Sequence, residues 1–447
     1  MIKTLRDALR MKEIRDRLVF TFFMLIVVRL GCQIPIPFVN KAEIANITGQ
    51  FSEGAFTFFA AITGGSLERM SIFSLNITPY ITSSIIMQLL TIAIPQLEEM
   101  QKDGEEGRKK IAKITRYVTV ALAIIESLAL VIGFANSGIF DTDTVEFAKN
   151  MSAMRKYGVI ITGVIAMTAG SAVLMWIGEQ VTEKGVGNGI SIVLTINIIS
   201  RIPSDVAALF KNYVTGSEGS FGGRITAAVV IVAIIVGIIA FVVLLQGGTR
   251  NIAIQLSQKV QGRRSVGAQS SNIPLKVNTA GVIPVIFASS ILQFPIVIGQ
   301  FANKSPEWMN YLNQSQWFNK ANPKYTIGFV CYIAMIVFFA YFYTSITFNP
   351  REVAKNLNDR GGFIPGIRSG KPTVDYLTNI LNYIILIGAI GLIFIASVPI
   401  IASGVAKANV SFGGTSIIII VGVILETLVA IKSMMAERSY KEIKGIF

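Results

Sequence analysis

The stretch Gly64–Pro95 reads GGSLERMSIFSLNITPYITSSIIMQLLTIAIP and decides the fold. No charged residue occurs from Ser71 to Leu97, a run long enough to cross a bilayer. The run is nevertheless rich in Ser, Thr, Asn and Gln, and Pro79 interrupts the backbone hydrogen bonds near its start. Such groups are tolerated in hydrocarbon only where they face protein or a water-filled cavity. The stretch therefore predicts membrane-embedded structure beside a cavity.

Two elements are predicted within this stretch. A glycine-led, amphipathic segment from Gly64 to Leu75 stops within the membrane region as a short re-entrant helix. A spanning helix follows from about Ile77. Because Ile77, Ile81 and Ile85 recur at a spacing of four residues, they share one face of that helix.

The composition is that of a membrane protein, since 52% of the 447 residues are hydrophobic and the mean hydropathy is +0.60. No cleavable signal peptide is expected, because the apolar run from Leu18 continues into a full span without a small-residue cleavage site. The chain has no histidine, which excludes His-based catalysis and His metal sites. Cys32 and Cys331 lack CxxC spacing and are expected to be small buried apolar residues.

Ten apolar runs predict ten membrane spans. No run alternates as a strand does, so an all-α multi-pass bundle is expected. The fifth span is short, because only Gly185–Ser200 is free of charge. Spans two and seven are both polar and contain proline, which favours two inverted-repeat halves of five spans, residues 1–200 and 201–447. The span centres lie near Met24, Ile85, Ile124, Met167, Leu194, Ile235, Ala288, Ile336, Gly391 and Val421.

The basic residues predict the orientation of the chain. Of 40 Lys and Arg residues, 27 lie in loops on the side that holds both termini and 12 lie in the intervening loops. Both termini are therefore predicted to be cytoplasmic. Residues 1–17 are predicted to form an amphipathic helix on the membrane surface. Loops 247–278 and 349–378 are expected to project into the cytoplasm, either as orienting loops or as a basic surface for an acidic or RNA-containing partner.

Charges inside the spans are few and isolated: Arg29, Glu126, Glu179 and Glu426. Because a charge inside a bilayer is energetically costly, these residues are functional candidates. Pairing with a nearby residue is the simpler interpretation, and the sequence shows no proton relay or ion site. No phosphate-binding loop or metal-ligand cluster is present in the sequence either. The chain is therefore expected to be no enzyme and to need no cofactor, and any energy must come from a partner.

Branched aliphatic residues on the polar or glycine-rich spans suggest a hydrophobic constriction that closes an aqueous path by dewetting. Ordinary core packing is the alternative interpretation. A ten-span secondary transporter of a small solute is the alternative function, but it would need charged coordinating residues at mid-membrane. The candidate constriction residues are Ile77, Ile81, Ile190, Leu194, Ile286 and Ile419.

Six stretches carry a resemblance to a known family. They are GGSLERMSIFSLNITPYITSSIIMQLL, EEGRKKIAKITRY, MWIGEQVTEKGVGNGISI, QGRRSVGAQSSNIPLKVNTAGVIPVIFASSIL, FNPREVAKNLNDRGGFIPGIRSG and FGGTS. With these stretches in this order, the chain resembles the SecY family of bacterial protein-translocation channels over essentially its whole length. The resemblance implies a channel that passes unfolded preproteins across the membrane and releases hydrophobic segments sideways into lipid.

The resemblance also implies roles for individual residues. The six aliphatic residues above would form the pore ring. A lateral gate would lie between span two, with Thr82, Ile85 and Gln88, and span seven, with Asn278, Ile286 and Phe294, where Gln88 and Asn278 would hydrogen-bond in the closed gate. Arg263, Arg264 and Arg368 would dock the motor and the ribosome. The plug that seals the outer funnel would comprise Gly64, Gly65, Ser66, Leu67, Glu68, Arg69, Met70, Ser71, Ile72 and Phe73, ending near Leu75.

The implied partners are SecE and SecG in the membrane, and the SecA motor and the ribosome at the cytoplasmic loops. RNA would be contacted only through the ribosome. The substrates would be preproteins with their signal sequences, in contact with membrane lipid, and the site would be the bacterial plasma (inner) membrane. The chain departs from the family pattern at QGGTRNI, which affects docking through Arg250, and at Ser369, where proline is common.

Overall fold

The computed structural model describes residues 2–39, 63–136, 153–211, 221–256, 260–261, 264–265, 270–301, 307–318, 323–406 and 414–444. Its α-helices are α1 (Ile2–Arg10), α2 (Lys12–Gly31), α3 (Thr78–Ala93), α4 (Pro95–Lys102), α5 (Glu105–Asn136), α6 (Ala153–Lys184), α7 (Gly189–Phe210), α8 (Phe221–Gly247), α9 (Ile283–Phe301), α10 (Met309–Leu312), α11 (Thr326–Thr347), α12 (Pro350–Asp359), α13 (Lys371–Ala406) and α14 (Gly414–Lys444). Short 3-10 helices cover Gln314–Gln316 and Pro323–Tyr325. The strands are β1 (Thr249–Leu256), β2 (Val260–Gln261), β3 (Arg264–Ser265), β4 (Ser270–Lys276) and β5 (Gly362–Phe363).

The predicted ten-span helical fold is confirmed. Each of the ten predicted span centres falls in a different helix: α2, α3, α5, α6, α7, α8, α9, α11, α13 and α14. Among the described residues, six helices are individually long and apolar enough to cross a membrane. The pair α3 and α4 adds a broken span, bent by 102° where Pro95 begins α4.

The N-terminal segment differs from the single surface helix that was predicted over residues 1–17. Helix α1 ends at Arg10, Met11 is extended, and the following residues already belong to the first spanning helix. Ala8 and Ile14 are buried in a cluster with Val186 and Ile431, so this segment packs on protein as well as facing outward. The apolar stripe therefore covers part of the bundle.

Two helix boundaries differ from expectation. Pro79 lies in the first turn of α3, where its missing N–H has no helical partner to lose, so it starts the helix rather than breaking it. Helix α7 continues to Phe210, well past the predicted end at Ser200. The continuation keeps Arg201 and Asp205 one turn apart, with Arg201 Nε 3.4 Å from Asp205 Oδ1, so each charge gains an opposite partner.

The absence of strands was a wrong prediction. Strand β1 pairs antiparallel with β4 on one side and with β5 on the other. Ile252 and Ile254 on β1 are buried, while the intervening Ala253 is exposed, which is the period of a half-buried strand. Loops 247–278 and 349–378 thus join in one sheet, and they share a core with the start of α13. That core contains Ile252, Ile254, Leu275, Ala354, Leu357, Ile364, Leu377 and Ile384.

The larger cores lie on either side of a small junction. Two clusters contain only residues before position 200, and another contains only residues after position 240, with the buried Trp317 and Tyr332 at its centre. A further cluster draws Leu194 and Ile198 from α7 together with Ile419 from α14. This junction brings the two parts of the chain together. The inverted-repeat relation between residues 1–200 and 201–447 remains a prediction.

Candidate functional site

The junction cluster contains most of the predicted constriction. Leu194 and Ile419 are buried within it, and Ile81 of α3 and Ile286 of α9 pack against it half-buried. Four spans, α3, α7, α9 and α14, therefore contribute aliphatic side chains to one point. The side chains carry no hydrogen-bonding group, so they can exclude water without binding a polar solute.

The remaining two constriction residues lie in an adjoining cluster. Ile77 is fully buried there, and Ile190 packs against the same cluster. Ile81 contacts both clusters and links them. Ile190 also lies against Gly178 of α6, where a Cβ would be 2.8 Å from its Cγ1. The six predicted residues therefore form two linked groups, and their role as a pore ring stays a prediction.

Residues 64–77, named the plug segment here, are a run of turns, so the short helix predicted over residues 64–75 is not formed. Positive φ angles at Gly64, Gly65, Met70 and Asn76 prevent a continuous helix. A two-residue bridge ties the segment to the chain just after α2. The Ile36 N–H donates to the Met70 carbonyl at 2.8 Å, and the Ile72 N–H donates to the Ile34 carbonyl at 2.9 Å.

Glycines on two surrounding helices let the plug segment approach closely. The ring of Phe73 occupies the space that a side chain on Gly31 of α2 would need. A Cβ on Gly170 of α6 would clash with the carbonyl oxygen of Ile72. The segment is thus packed directly against helix backbone, with no intervening side chain on these two faces.

Polar contacts hold the plug segment to α7. Asn197 Nδ2 donates to Asn76 Oδ1 at 2.9 Å, and Arg29 Nη1 of α2 donates to Asn197 Oδ1 at 3.2 Å. Nearer the end of α7, Arg201 forms an ion pair with Glu68 of the plug segment. Arg29 thus has a local partner, as the plainer interpretation of the in-span charges predicted. Glu179 is likewise paired, with Arg116 at 2.7 Å.

The predicted lateral-gate residues differ in how far they are buried. Thr82 and Ile85 on α3 are half-buried and Gln88 is exposed. Asn278 precedes α9 and is buried beside Gly388 of α13. Its Nδ2 has no hydrogen-bond partner, so the hydrogen bond expected between Gln88 and Asn278 is not formed.

The helix that carries the rest of the predicted gate, α9, packs along α11 and also reaches α5, so its neighbour on the N-terminal side includes span three. Phe294 lies in α9, but its side chain is outside the described part of the structure. The gate assignment as a whole remains a prediction.

Of the predicted docking residues, Arg264 and Arg368 lie in the two long loops, 247–278 and 349–378, that form the sheet-containing unit. Arg264 lies in β3, Arg368 is exposed in the turn before α13, and Arg263 lies outside the described residues. The Arg368 carbonyl accepts a hydrogen bond from Thr373 Oγ1 at 2.8 Å, which ties this turn to the first turn of α13. Arg250, within the divergent QGGTRNI stretch, is exposed on β1.

Sequence reasoning missed Asn76, Asn197 and Arg201 as contacts of the plug segment. A signal existed for two of them. Asn197 interrupts the apolar run of α7, and Asn76 stands just before the prolyl start of α3, and a buried amide in a membrane span requires a hydrogen-bonding partner. That the two amides meet could not be read from positions 121 apart in sequence.

A comparison with protein families shows which family the chain belongs to. The SecY family profile matches residues 71–428, most of the chain. The chain belongs to the SecY family. The resemblance expected from the six sequence stretches is therefore confirmed.

Curated SecY relatives match along their whole length. The chain is 42% identical to the protein translocase subunit SecY of Streptomyces galbus over 447 residues, covering 99% of both chains. It is 39% identical to that of Bacillus subtilis over 448 aligned positions, again covering 99% of both. Against the Pseudomonas aeruginosa protein, it is 37% identical, covering 97% of this chain and 93% of the relative.

Solved structures share the SecY fold at low sequence identity. A structure described as a protein conducting channel superimposes with a TM-score of 0.59 at 17% identity, covering 94% of this chain and 92% of the other. A structure concerned with the plug domain of the SecY protein gives a TM-score of 0.61 at 18% identity, with the same coverage. These similarities support the architecture independently of the sequence matches.

Proposed function

We propose that the chain is the protein-conducting channel subunit of a Sec translocase, closed by the plug segment and by the aliphatic junction. It is a membrane channel and not an enzyme. The observation that carries the proposal is the convergence of Ile81, Leu194, Ile286 and Ile419 from four spans, with the plug segment beside them. A translocating polypeptide presents a different side chain at every step, so its pore cannot rely on specific hydrogen bonds. Flexible aliphatic side chains can close around any sequence and dewet when it leaves.

The plug segment would close the pore on the side where α2 ends. Its backbone is held by the bridge to residues 34–36 and by contact with α2, α6 and α7. Most of these contacts are hydrogen bonds or packing against glycine, and no covalent link within the described residues fixes the segment. It could therefore leave its site while remaining attached at both ends. This motion would admit a chain without dismantling the helical bundle.

The lateral gate would open between α3 and α9, as expected for spans two and seven. Transfer of a hydrophobic segment from the aqueous pore to lipid is favourable, by about 0.8 kcal/mol for each buried CH₂ group. Few polar contacts need to be broken, because Gln88 is exposed and Asn278 Nδ2 has no partner in this structure. A signal sequence would thereby bias the gate toward opening.

The sheet-containing unit would face the cytoplasm and receive the partners. The proposed orientation places both termini there, in the bacterial plasma membrane, with SecE and SecG as membrane partners. Exposed basic side chains on the unit would meet the SecA motor and the ribosome, whose RNA carries the complementary charge. Solved Sec61 and Ssh1 relatives are described in complexes with ribosomes. Among its described residues, the exposed basic side chains of the unit are Arg250, Lys276, Arg351, Lys355, Arg360, Arg368 and Lys371.

Site-specific photocrosslinking to a stalled secretory precursor tests this function. A photoreactive residue at Ile81 or Ile190 should crosslink to the precursor in intact membranes. The same residue at Ile165, which is exposed on the outer face of α6, serves as the control and should crosslink to lipid only. If neither Ile81 nor Ile190 reacted while a probe at Arg368 did, the chain would be a docking platform rather than a conduit.

A further inference from the structure

The plug segment is connected to the bundle through two buried amide side chains. Asn76 and Asn197 are both at most 1% exposed, and Asn197 Nδ2 donates to Asn76 Oδ1 at 2.9 Å. Ile77 and Val193, fully buried in the neighbouring apolar cluster, help to exclude water from the two amides. A hydrogen bond between neutral amides in such surroundings is not weakened by competing water.

Asn197 is held ready for this contact by the helix on its other side. Arg29 Nη1 donates to Asn197 Oδ1 at 3.2 Å, which leaves the Nδ2 group directed at the plug. Asn76 is fixed by its backbone, because its carbonyl accepts a hydrogen bond from Ser171 Oγ at 3.2 Å. Its φ of 51° is in the left-handed region, which Asn tolerates better than most residues. Three spans thus fix the geometry of one hydrogen bond.

We propose that Asn76 and Asn197 form an amide latch that sets how readily the plug segment leaves its site. They are positioning residues for the channel function, and this inference rests on the proposed function. While the plug is in its site, the two amides hydrogen-bond to each other within the protein. When the plug leaves, water entering the channel can hydrogen-bond to both amides, so release costs little once it has begun. The latch would therefore oppose the first displacement and offer no resistance to the open state.

A native thiol reports the release of the plug. Cys32 is 1% exposed and belongs to the cluster that contains Phe73 and Ile77, and its Sγ lies 3.8 Å from Asn197 Oδ1. Displacing the plug uncovers it. In a Cys331→Ser background it is the only thiol, so its labelling rate by a water-soluble maleimide measures how often the plug is out.

The test compares this labelling rate in membranes between the parent and two variants. Asn76→Gly removes the acceptor and keeps a residue suited to the positive φ. Asn197→Ala removes the donor, and with it the Oδ1 that contacts Arg29 and Cys32, so Asn76→Gly, which keeps those contacts, gives the decisive rate. Each should label Cys32 about fivefold faster, which corresponds to about 1 kcal/mol. The double variant should be no faster than the faster single variant, because the two changes break the same bond.

Ser71→Ala is the matched control. Ser71 is equally buried in the plug, but its Oγ has no hydrogen-bond partner, so its loss breaks no bond and should not raise the labelling rate. The latch proposal would be wrong if both Asn variants labelled Cys32 at the parent rate. It would also be wrong if the rate increases of the two single variants multiplied in the double variant. If Asn197→Ala failed to accumulate, Asn76→Gly alone would decide the result.

The outcome is separable from that of the channel function. Crosslinks from Ile81 and Ile190 to a precursor together with unchanged Cys32 labelling would remove the latch and keep the channel. Faster Cys32 labelling without any precursor crosslink would keep the latch as a property of the fold and remove the channel.

Discussion

Arg201 of α7 forms an ion pair with Glu68 of the plug segment, and the same guanidinium lies 3.4 Å from Asp205 on its own helix. All three side chains are at most one-quarter exposed. The plug is thus held electrostatically at one end, in addition to its amide contact deeper in the bundle.

Breaking the Arg201–Glu68 pair should loosen the plug modestly. Glu68→Gln removes the charge and keeps the shape, and should raise the labelling rate of Cys32 about threefold, since partly exposed pairs contribute about 0.5–1 kcal/mol. Raising the salt concentration should speed labelling in the parent and have less effect in the variant. The control is Glu179→Gln, which breaks the pair with Arg116 away from the plug. An equal effect of the two variants would contradict the assignment.

Packing of the plug against α6 should depend on Gly170. A methyl group there would clash with the Ile72 carbonyl, so Gly170→Ala should displace the plug and destabilise the closed state by about 1–3 kcal/mol. We expect higher ion conductance of the purified chain in planar bilayers without any precursor. Gly158 lies on the same helix with open space around it, and Gly158→Ala should leave conductance at the parent level. Equal conductance of both variants would exclude close packing as the seal.

Local patterns predicted the helices well, because each span is apolar over enough residues to be recognised alone. The plug illustrates what they could not predict. Gly64 and Gly65 suggest a helix start, yet Met70 and Asn76 adopt positive φ, and Ile72 and Met70 form hydrogen bonds with residues 34 and 36. Those partners are distant in sequence, so no local pattern contains them.

The sheet was missed for a different reason. Residues 249–256, TRNIAIQL, do alternate, with Ile252 and Ile254 on one face, but the run is short and follows a long apolar helix. Its partner β5 lies more than 100 residues further along, in a loop with no strand pattern of its own. The pore residues were only partly predictable. Their spans can be recognised from the sequence, but the point where the side chains meet depends on how α3, α7, α9 and α14 pack.

The unpaired amide of Asn278 predicts different effects on stability but the same effect on gating at the two polar gate positions. Asn278 Nδ2 is buried without a partner, so Asn278→Leu should stabilise the fold by about 1 kcal/mol or more and raise the thermal midpoint. Gln88 is exposed, and Gln88→Leu should leave the midpoint unchanged. Both variants should nevertheless export a reporter with a defective signal sequence better than the parent, because a less polar gate favours apolar segments. Export at the parent level by both would refute this account of the gate.

Dewetting at the aliphatic junction predicts a sharp response to polarity at Leu194. Leu194 is buried with Ile198 and Ile419, so a hydroxyl there has no protein partner in the cluster and would recruit water. We expect Leu194→Ser to raise single-channel ion conductance about tenfold, because water bridging the constriction removes one of the two barriers to ions. Ile199 is on the same helix but exposed, so Ile199→Ser introduces the same hydroxyl away from the junction and should leave conductance unchanged. A conductance rise in the Ile199 variant alone would place the ion barrier outside this cluster.

Combining Leu194→Ser with Asn76→Gly tests whether the junction and the plug are separate seals. Independent barriers in series should yield a larger conductance rise when both are changed than when either is changed alone.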